Sequence, residues 1–397
     1  MQPRLKLDIG WIALLRALLF PGTAHSDDPY VVNGLTCVPG LSVRTLWDAI
    51  LAEQRERLPQ APEVVMSGVN IEAMAALVEA HGLDRISVDL DLTTLKPFSS
   101  DWNAVCGPRT AIALVAHLYG TRNPVSGLKP HTLSDRSLLV EDCAQAFSGH
   151  LTISEGADVA LYSFGPIKRW TALGGAIAVF RDLELAEAIY QRIRIYPRRS
   201  HRAFQTRVLK YLALKVMSHP SVYGALVAGM MALGRDPESQ IAALARGFTG
   251  QDPSVYRFRM SRPQAQFLKW RLRQSPLMAN YAYSARSLAL RPELSTLFPG
   301  WGAAENAAWL FPVMSQNPER LIHALRSCGF DATRGATSLR ALSSKIKGQD
   351  ENAPPNVTRL LQGVVYLPSP LPEQGKAAFN RLVHIVTEHE KKGAREG

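Results

Sequence analysis

Between residues 43 and 180, short apolar runs alternate with helical patterns, and this alternation constrains the fold more than any other feature. Residues 43–57 have helical spacing. Residues 63–66 (EVVM) form a short apolar run. Residues 70–81 return to helical spacing and stop at Gly82. Residues 85–90, 111–116, 137–140, Val159–Ser163 and Ala176–Phe180 read as further strands. Strands that alternate with helices build βαβ units, whose crossovers make the strands parallel. The predicted class is therefore α/β, with a large, mainly parallel sheet.

Downstream the pattern changes. Residues 183–280 read as mostly helical. After residue 300 the order is strand, helix, strand, helix (308–313, 318–328, 363–367, 375–389), which predicts a smaller C-terminal α+β domain. The polar, proline-rich stretch 350–355 (DENAPP) reads as a surface loop. The expected division is an N-terminal docking segment over 1–34, a large domain over 35–260, and a helical connection with the small domain over 261–397. No internal repeat or low-complexity tract interrupts this plan.

Two apolar stretches bear on location. Residues 10–21 (GWIALLRALLFP) follow a basic start, but Asp8 and Arg16 interrupt the signal-peptide pattern and no small-x-small cleavage site follows. A short docking helix is expected. Residues 203–234 combine a basic flank with an apolar run, 222–233, that is too short to span a bilayer. An apolar helical stripe usually packs on its own domain or on a second subunit. A basic, apolar helix on an anionic membrane surface is the other reading.

Composition excludes several classes. With 46% hydrophobic and 20% charged residues, the chain can bury a large core. Four cysteines without a CxxC exclude a disulfide scaffold and a zinc ribbon. No metal site is expected. Lys plus Arg outnumber Asp plus Glu by 45 to 34, a formal charge of +11, which favours anionic partners. Neither a helix-turn-helix nor a zinc pattern is evident, so nucleic acid is not the expected partner.

Chemistry concentrates in 138–180. A strand ends in Glu141 and Asp142, and Gln145 lies three residues on. Another strand ends in Ser163, with Lys168 just beyond it and Gly174-Gly175 before the next strand. Ligands bind at the carboxyl ends of strands in open parallel sheets. A buried lysine can bond covalently to a carbonyl cofactor, and an acid can pair with a pyridinium nitrogen. Either residue alone is more often a cap or a solvated side chain. Together, in this order, they suggest pyridoxal phosphate.

The motifs EDCAQAF (141–147) and YSFGPIKRWTALGGAIAVF (162–180) resemble the DegT/StrS-type, nucleotide-sugar aminotransferases of the fold-type I pyridoxal phosphate enzymes. The likeness extends through 63–97, through 111–120 (AIALVAHLYG), through Arg259-Met260-Ser261 with Gln264-Ala265, and through 364–372 (VVYLPSPLP). It covers about 35–390 and departs mainly near 203–235.

The resemblance implies a fold-type I enzyme, usually a homodimer with shared active sites. Lys168 would hold the cofactor and move protons, and Asp142 would pair with its ring nitrogen. Gln145 would meet its phenolic oxygen and Ser163 its phosphate. Gly40, Leu41 and Ser42 occupy the place of the phosphate turn at a helix start, whose backbone N–H groups suit phosphate. Asn70 stands where the family places an aromatic over the ring. Arg257 stands where it places an asparagine reaching the partner's phosphate site. Lys168, in place of histidine, sets the chain apart from the sugar-dehydratase branch.

The expected function is an aminotransferase moving an amino group from an amino acid, by family habit glutamate, to a keto group of a nucleotide-linked sugar in polysaccharide or secondary-metabolite synthesis, in the cytoplasm. The alternatives are a lipid-linked or acidic carrier-linked acceptor approached at the inner face of the membrane, and a cofactor-binding relic without turnover. His117 and Cys143 read as packed core residues. Arg334 reads equally as an anion contact or a solvated arginine.

Overall fold

The computed structural model describes residues 7–128, 135–217, 219–233, 252–274, 297–307, 309–346, 349–350, 352–368 and 375–396. Of the expected elements, 234–251 and 275–280 in the helical stretch, 369–372 in the closing motif, 308 and 351 lie outside them.

The helical spacing at 43–57 becomes α2 (Val43–Arg57), after α1 (Trp11–Leu19) and the strands β1 (Tyr30–Val32) and β2 (Leu35–Gly40). The apolar runs become β3 (Glu63–Ser67), β5 (Asp84–Val88), β6 (Thr110–Ala116), β8 (Leu138–Asp142), β9 (Val159–Ser163) and β10 (Ala176–Phe180). Shorter elements are β4 (Val69–Ile71), α3 (Glu72–Ala80), α4 (Ser99–Val105) and β7 (Thr121–Arg122). Then come α5 (Leu183–Arg194), α6 (His201–Met217) and α7 (Pro220–Ala232).

A ten-stranded sheet organises the chain in the order β1, β2, β10, β9, β8, β6, β3, β5, then the short strands Lys345–Ile346 and Gln349–Asp350. The block β9, β8, β6, β3, β5 is parallel, as the alternation predicts, and both flanks are antiparallel. After β3 the chain pairs first on one side through β5 and then on the other through β6. That reversal is a topological switch point, where the crevice at the strand ends opens.

The structure overrides local signals at two places. Residues 35–40 form a strand although Gly34, Pro39 and Gly40 are turn formers. Pro39 is accommodated in β2 opposite Ile177 of β10. The helix expected from residue 70 starts at Glu72, because Val69–Ile71 pairs with Leu339–Ala341.

One hydrophobic cluster fills the space between the sheet and α2, α3 and α5, with Leu46, Ile50, Val64, Leu114 and Ile189 within it. A second holds Leu14, Phe204 and Phe267 against Tyr162 and Ile177, so α1, α6 and the helix Arg262–Arg273 share one core. The C-terminal unit pairs Phe311–Met314 with Val364–Leu367 and packs the helices Pro318–Ser327 and Gly375–Glu396 around its own cluster. Among the described residues, no helix is long and apolar enough to cross a membrane.

Candidate active site

β8 and β9 are parallel neighbours with Asp142 opposite Leu161, so the residues beyond both strands end at one rim. Asp142 is buried, and its carboxylate is held from two sides. Oδ1 accepts from the Ala144 N–H at 3.0 Å, and Oδ2 accepts from Asn70 Nδ2 at 3.2 Å. Asn70 reaches it from the switch point, because β3 leads directly into β4. The Asn70 oxygen accepts from the Ile71 N–H at 2.7 Å, so its amide is oriented as a donor toward the acid.

Lys168 is half-buried beyond β9. Burial pushes its amine down to about 8, against the upward pull of the Asp142 carboxylate and with a further downward push from Arg44. Its Nζ lies 4.0 Å from the centre of the Trp309 ring, a cation–π distance. Trp309 Nε1 donates to the Ile167 carbonyl at 2.7 Å, which fixes the ring beside the lysine. A Cβ at Gly165 would stand 3.7 Å from Ser163 Oγ and 3.8 Å from Lys168 Cγ, so hydroxyl and lysine flank one glycine. Gln145 Oε1 accepts from the Tyr119 N–H at 2.9 Å, which leaves its NH2 for a second partner.

The turn Gly40–Ser42 leads from β2 into α2. Ser42 caps α2, its Oγ accepting from the Thr45 N–H at 3.2 Å. Gly40 is required there, since a Cβ would meet Leu46 Cγ at 2.7 Å. Gly175 N–H donates to the Leu41 carbonyl at 3.2 Å, tying the turn to the loop after Lys168. Gly174 in that loop has φ +140°, and a Cβ on it would lie 2.6 Å from Arg207 Nη1 and 2.7 Å from Gln264 Nε2. Gln264 is buried and its Nε2 has no hydrogen-bond partner. Tyr119, Trp170 and Leu173 hold left-handed backbone (φ +57°, +53° and +61°), a strain that concentrates at functional sites.

Arg257 goes elsewhere. Its Nε and Nη2 donate to the two oxygens of buried Asp48 at 2.9 and 3.1 Å, on α2. Asp48 also accepts from His81 and Tyr196. The guanidinium expected at a phosphate is thus engaged within its own chain. Asn70, at the position expected over a ring, donates to Asp142.

Behind the site, His117 Nε2 meets Glu141 Oε1 at 2.9 Å, and Glu141 also accepts from Arg122 and Ser154. Against the upward push of burial, the His117 hydrogen bond, the charge of Arg122 and the Ser154 N–H hold Glu141 at about 2. His117, Glu141 and buried Cys143 offer ligand atoms within 4.8 Å of one another, but the guanidinium already fills the cation's role. Arg334 donates to the Leu361 and Gln362 carbonyls and so caps the helix Pro355–Gly363.

Sequence reasoning missed Trp309, Tyr119, Arg44 and Arg207. A tryptophan shortly after Glu305-Asn306 was the one available signal for Trp309. Nothing local marks the other three.

The residues present fit pyridoxal phosphate by donor type: a lysine of lowered pKa, a buried fixed carboxylate, a spare amide NH2, a hydroxyl and a helix N-terminus, gathered at one rim. Comparisons with known proteins agree. Residues 51–217 match the DegT/DnrJ/EryC1/StrS aminotransferase family. The L-glutamine:2-deoxy-scyllo-inosose aminotransferase of Streptomyces kanamyceticus is 30% identical over 154 residues, 38% of this chain and 35% of that relative's length. The chain thus spans about a third of the curated relative it matches. The sugar aminotransferase CalS13 from Micromonospora echinospora superposes with a TM-score of 0.62 at 17% identity, covering 98% of this chain and all of that one. The E coli GDP-4-keto-6-deoxy-D-mannose-3-dehydratase with bound hydrated PLP gives 0.63 at 12%, covering 97% and 100%. These likenesses show the fold-type I architecture, and the segment 51–217 that matches the DegT/DnrJ/EryC1/StrS aminotransferase family contains Asn70, Asp142, Gln145, Ser163 and Lys168.

Proposed function

We propose that this protein is a pyridoxal phosphate-dependent aminotransferase that moves an amino group from an amino acid, glutamate first, to a keto group on a nucleotide-linked sugar. The observation that carries the reading is the pairing of Lys168, whose amine burial lowers to about 8, with the doubly anchored Asp142 at the rim of adjacent parallel strands.

The cofactor, when bound, supplies an electron sink that lets a donor amino acid lose its α-proton. Lys168 would hold it, and its Nζ, close to half neutral near pH 8, can take a proton and return it. Asp142 would hold a protonated ring nitrogen, and Asn70 would keep its carboxylate aimed. The Gln145 NH2 would meet the phenolic oxygen. Ser163 and the backbone of Gly40, Leu41 and Ser42 would take the phosphate. The Trp309 ring lies beside the amine, and the Tyr119 N–H orients the amide.

The net charge of +11 suits an acceptor that carries a diphosphate. The glutamine donor and cyclic ketone in the curated relative's name make glutamine and a keto-cyclitol the second pair to try. A cytoplasmic homodimer completes the reading, and light scattering in solution checks its assembly.

The test is the absorbance of the purified protein with pyridoxal phosphate, before and after borohydride, with peptide mapping. A chromophore fixed on the Lys168 peptide and bleached by glutamate or glutamine is expected. Absence of any Lys168 adduct at saturating cofactor would overturn the reading.

A further inference from the structure

α1 is apolar at eight of its nine positions (WIALLRALL), yet only one side of it is covered. Ala13, Leu14 and Ala17 pack inward, and Phe20 just past its end meets Phe267 and Trp270 at 5.5 and 5.7 Å. Ile12 and Leu19 are 82% and 84% exposed, and Trp11 and Leu15 about half exposed. A helix that is apolar all round is normally buried all round.

α6 extends this surface. Lys215 Nζ donates to the Ile9 carbonyl at 2.5 Å and lies 5.4 Å from the Trp11 ring, so the end of α6 meets the start of α1. Leu209 and Val216, seven residues apart on one stripe, are 56% and 52% exposed. α7 follows with no charged residue at all, and Val222 and Leu233 at or just beyond its ends are exposed as well. The charges that are present have one sign. α1, α6 and α7 carry Arg16, Arg202, Arg207, Lys210 and Lys215 and no Asp or Glu.

We infer that the α1–α6 face docks this protein on an anionic membrane surface. Charge complementarity selects this occupant. A second copy seated on the same face across a two-fold axis would set cation against cation. Anionic headgroups accept the Lys and Arg ends while Trp11, Ile12 and Leu19 enter the headgroup–acyl boundary. A tryptophan beside a lysine is the usual composition at that depth. With no helix among the described residues long and apolar enough to cross, the attachment is peripheral. The inference stands on the surface alone and is independent of the aminotransferase reading.

The test is co-sedimentation of the full chain with phosphatidylglycerol–phosphatidylcholine vesicles and with phosphatidylcholine alone, at low and high salt. Exposed Arg16, Arg202 and Lys210 together should make binding to the anionic vesicles on the order of a hundredfold tighter. High salt should reverse most of that gain. The I12S/L19S double variant should bind at least about tenfold more weakly, through lost apolar insertion. Both side chains are in water, so its thermal midpoint should be unchanged. Two results overturn the proposal: vesicle binding that is absent, or equal in the double variant, and a dimer that I12S/L19S converts to monomer in light scattering, which makes the face a subunit interface.

Discussion

At the residue scale, Lys168 shows what it costs to keep a reactive amine in an enclosed place. Its amine titrates at about 8 because burial disfavours the ammonium, and an unfolded lysine titrates about two and a half units higher. Between those values the unfolded chain holds a proton that the folded chain has lost. Apo-protein stability therefore rises with pH through that window, and the full penalty applies below it. Replacing Lys168 with methionine keeps the length and removes the charge. The apo variant should be more stable than the parent at neutral pH, on the order of 2 kcal/mol, and should lose the alkaline rise. Denaturation curves at neutral and mildly alkaline pH check both. A variant less stable than the parent would mean that the Asp142 charge and the Trp309 ring outweigh desolvation.

At the scale of elements, the loop between Lys168 and β10 is shaped by what leans on it. Arg207 comes from α6 and Gln264 from the helix Arg262–Arg273, and their nitrogens leave no room for a Cβ at residue 174. Gly174→Ala adds left-handed strain at φ +140° to that clash. It should lower stability by roughly 1–3 kcal/mol in a urea titration. It should also weaken cofactor retention, because Gly175 ties the same loop through the Leu41 carbonyl to the turn proposed to take the phosphate. Unchanged stability would show that Arg207 swings away freely. The same scale explains the misplaced helix start. Residues 70 and 71 fit the helical period, but the strand Leu339–Ala341 claims them.

For the whole molecule, the N-terminal segment is fastened to the large core by the buried side of α1 and by aromatic contacts at its end. Phe20 sits edge-on to Phe267, which stacks on Trp270. Phe20→Ala removes a buried ring and should cost about 3 kcal/mol if α1 stays docked. If α1 detaches instead, its amides should exchange quickly with solvent while β6 and β8 stay protected. Hydrogen exchange separates these outcomes, and either one should reduce vesicle binding through the α1–α6 face. Uniform loss of protection across the sheet would show that α1 is integral to the core.

What the sequence determined by itself is local. The bounds of α2, β9 and β10 follow from periodicity and caps within a few residues of each position. The strand-end placing of Asp142, Ser163 and Lys168 follows from those elements, so most of the candidate site was legible before any coordinates. What only the tertiary structure decided depends on distant partners. Asn70 meets Asp142 across 72 residues of chain, Arg257 meets Asp48 across 209, and the Trp309 indole meets the carbonyl of Ile167 across 142. A side chain's hydrogen-bond partner is set by where the sheet order and the packing of helices bring it. No local pattern of propensity or charge records that, which is why the partners of Asn70 and Arg257 emerge only from the fold.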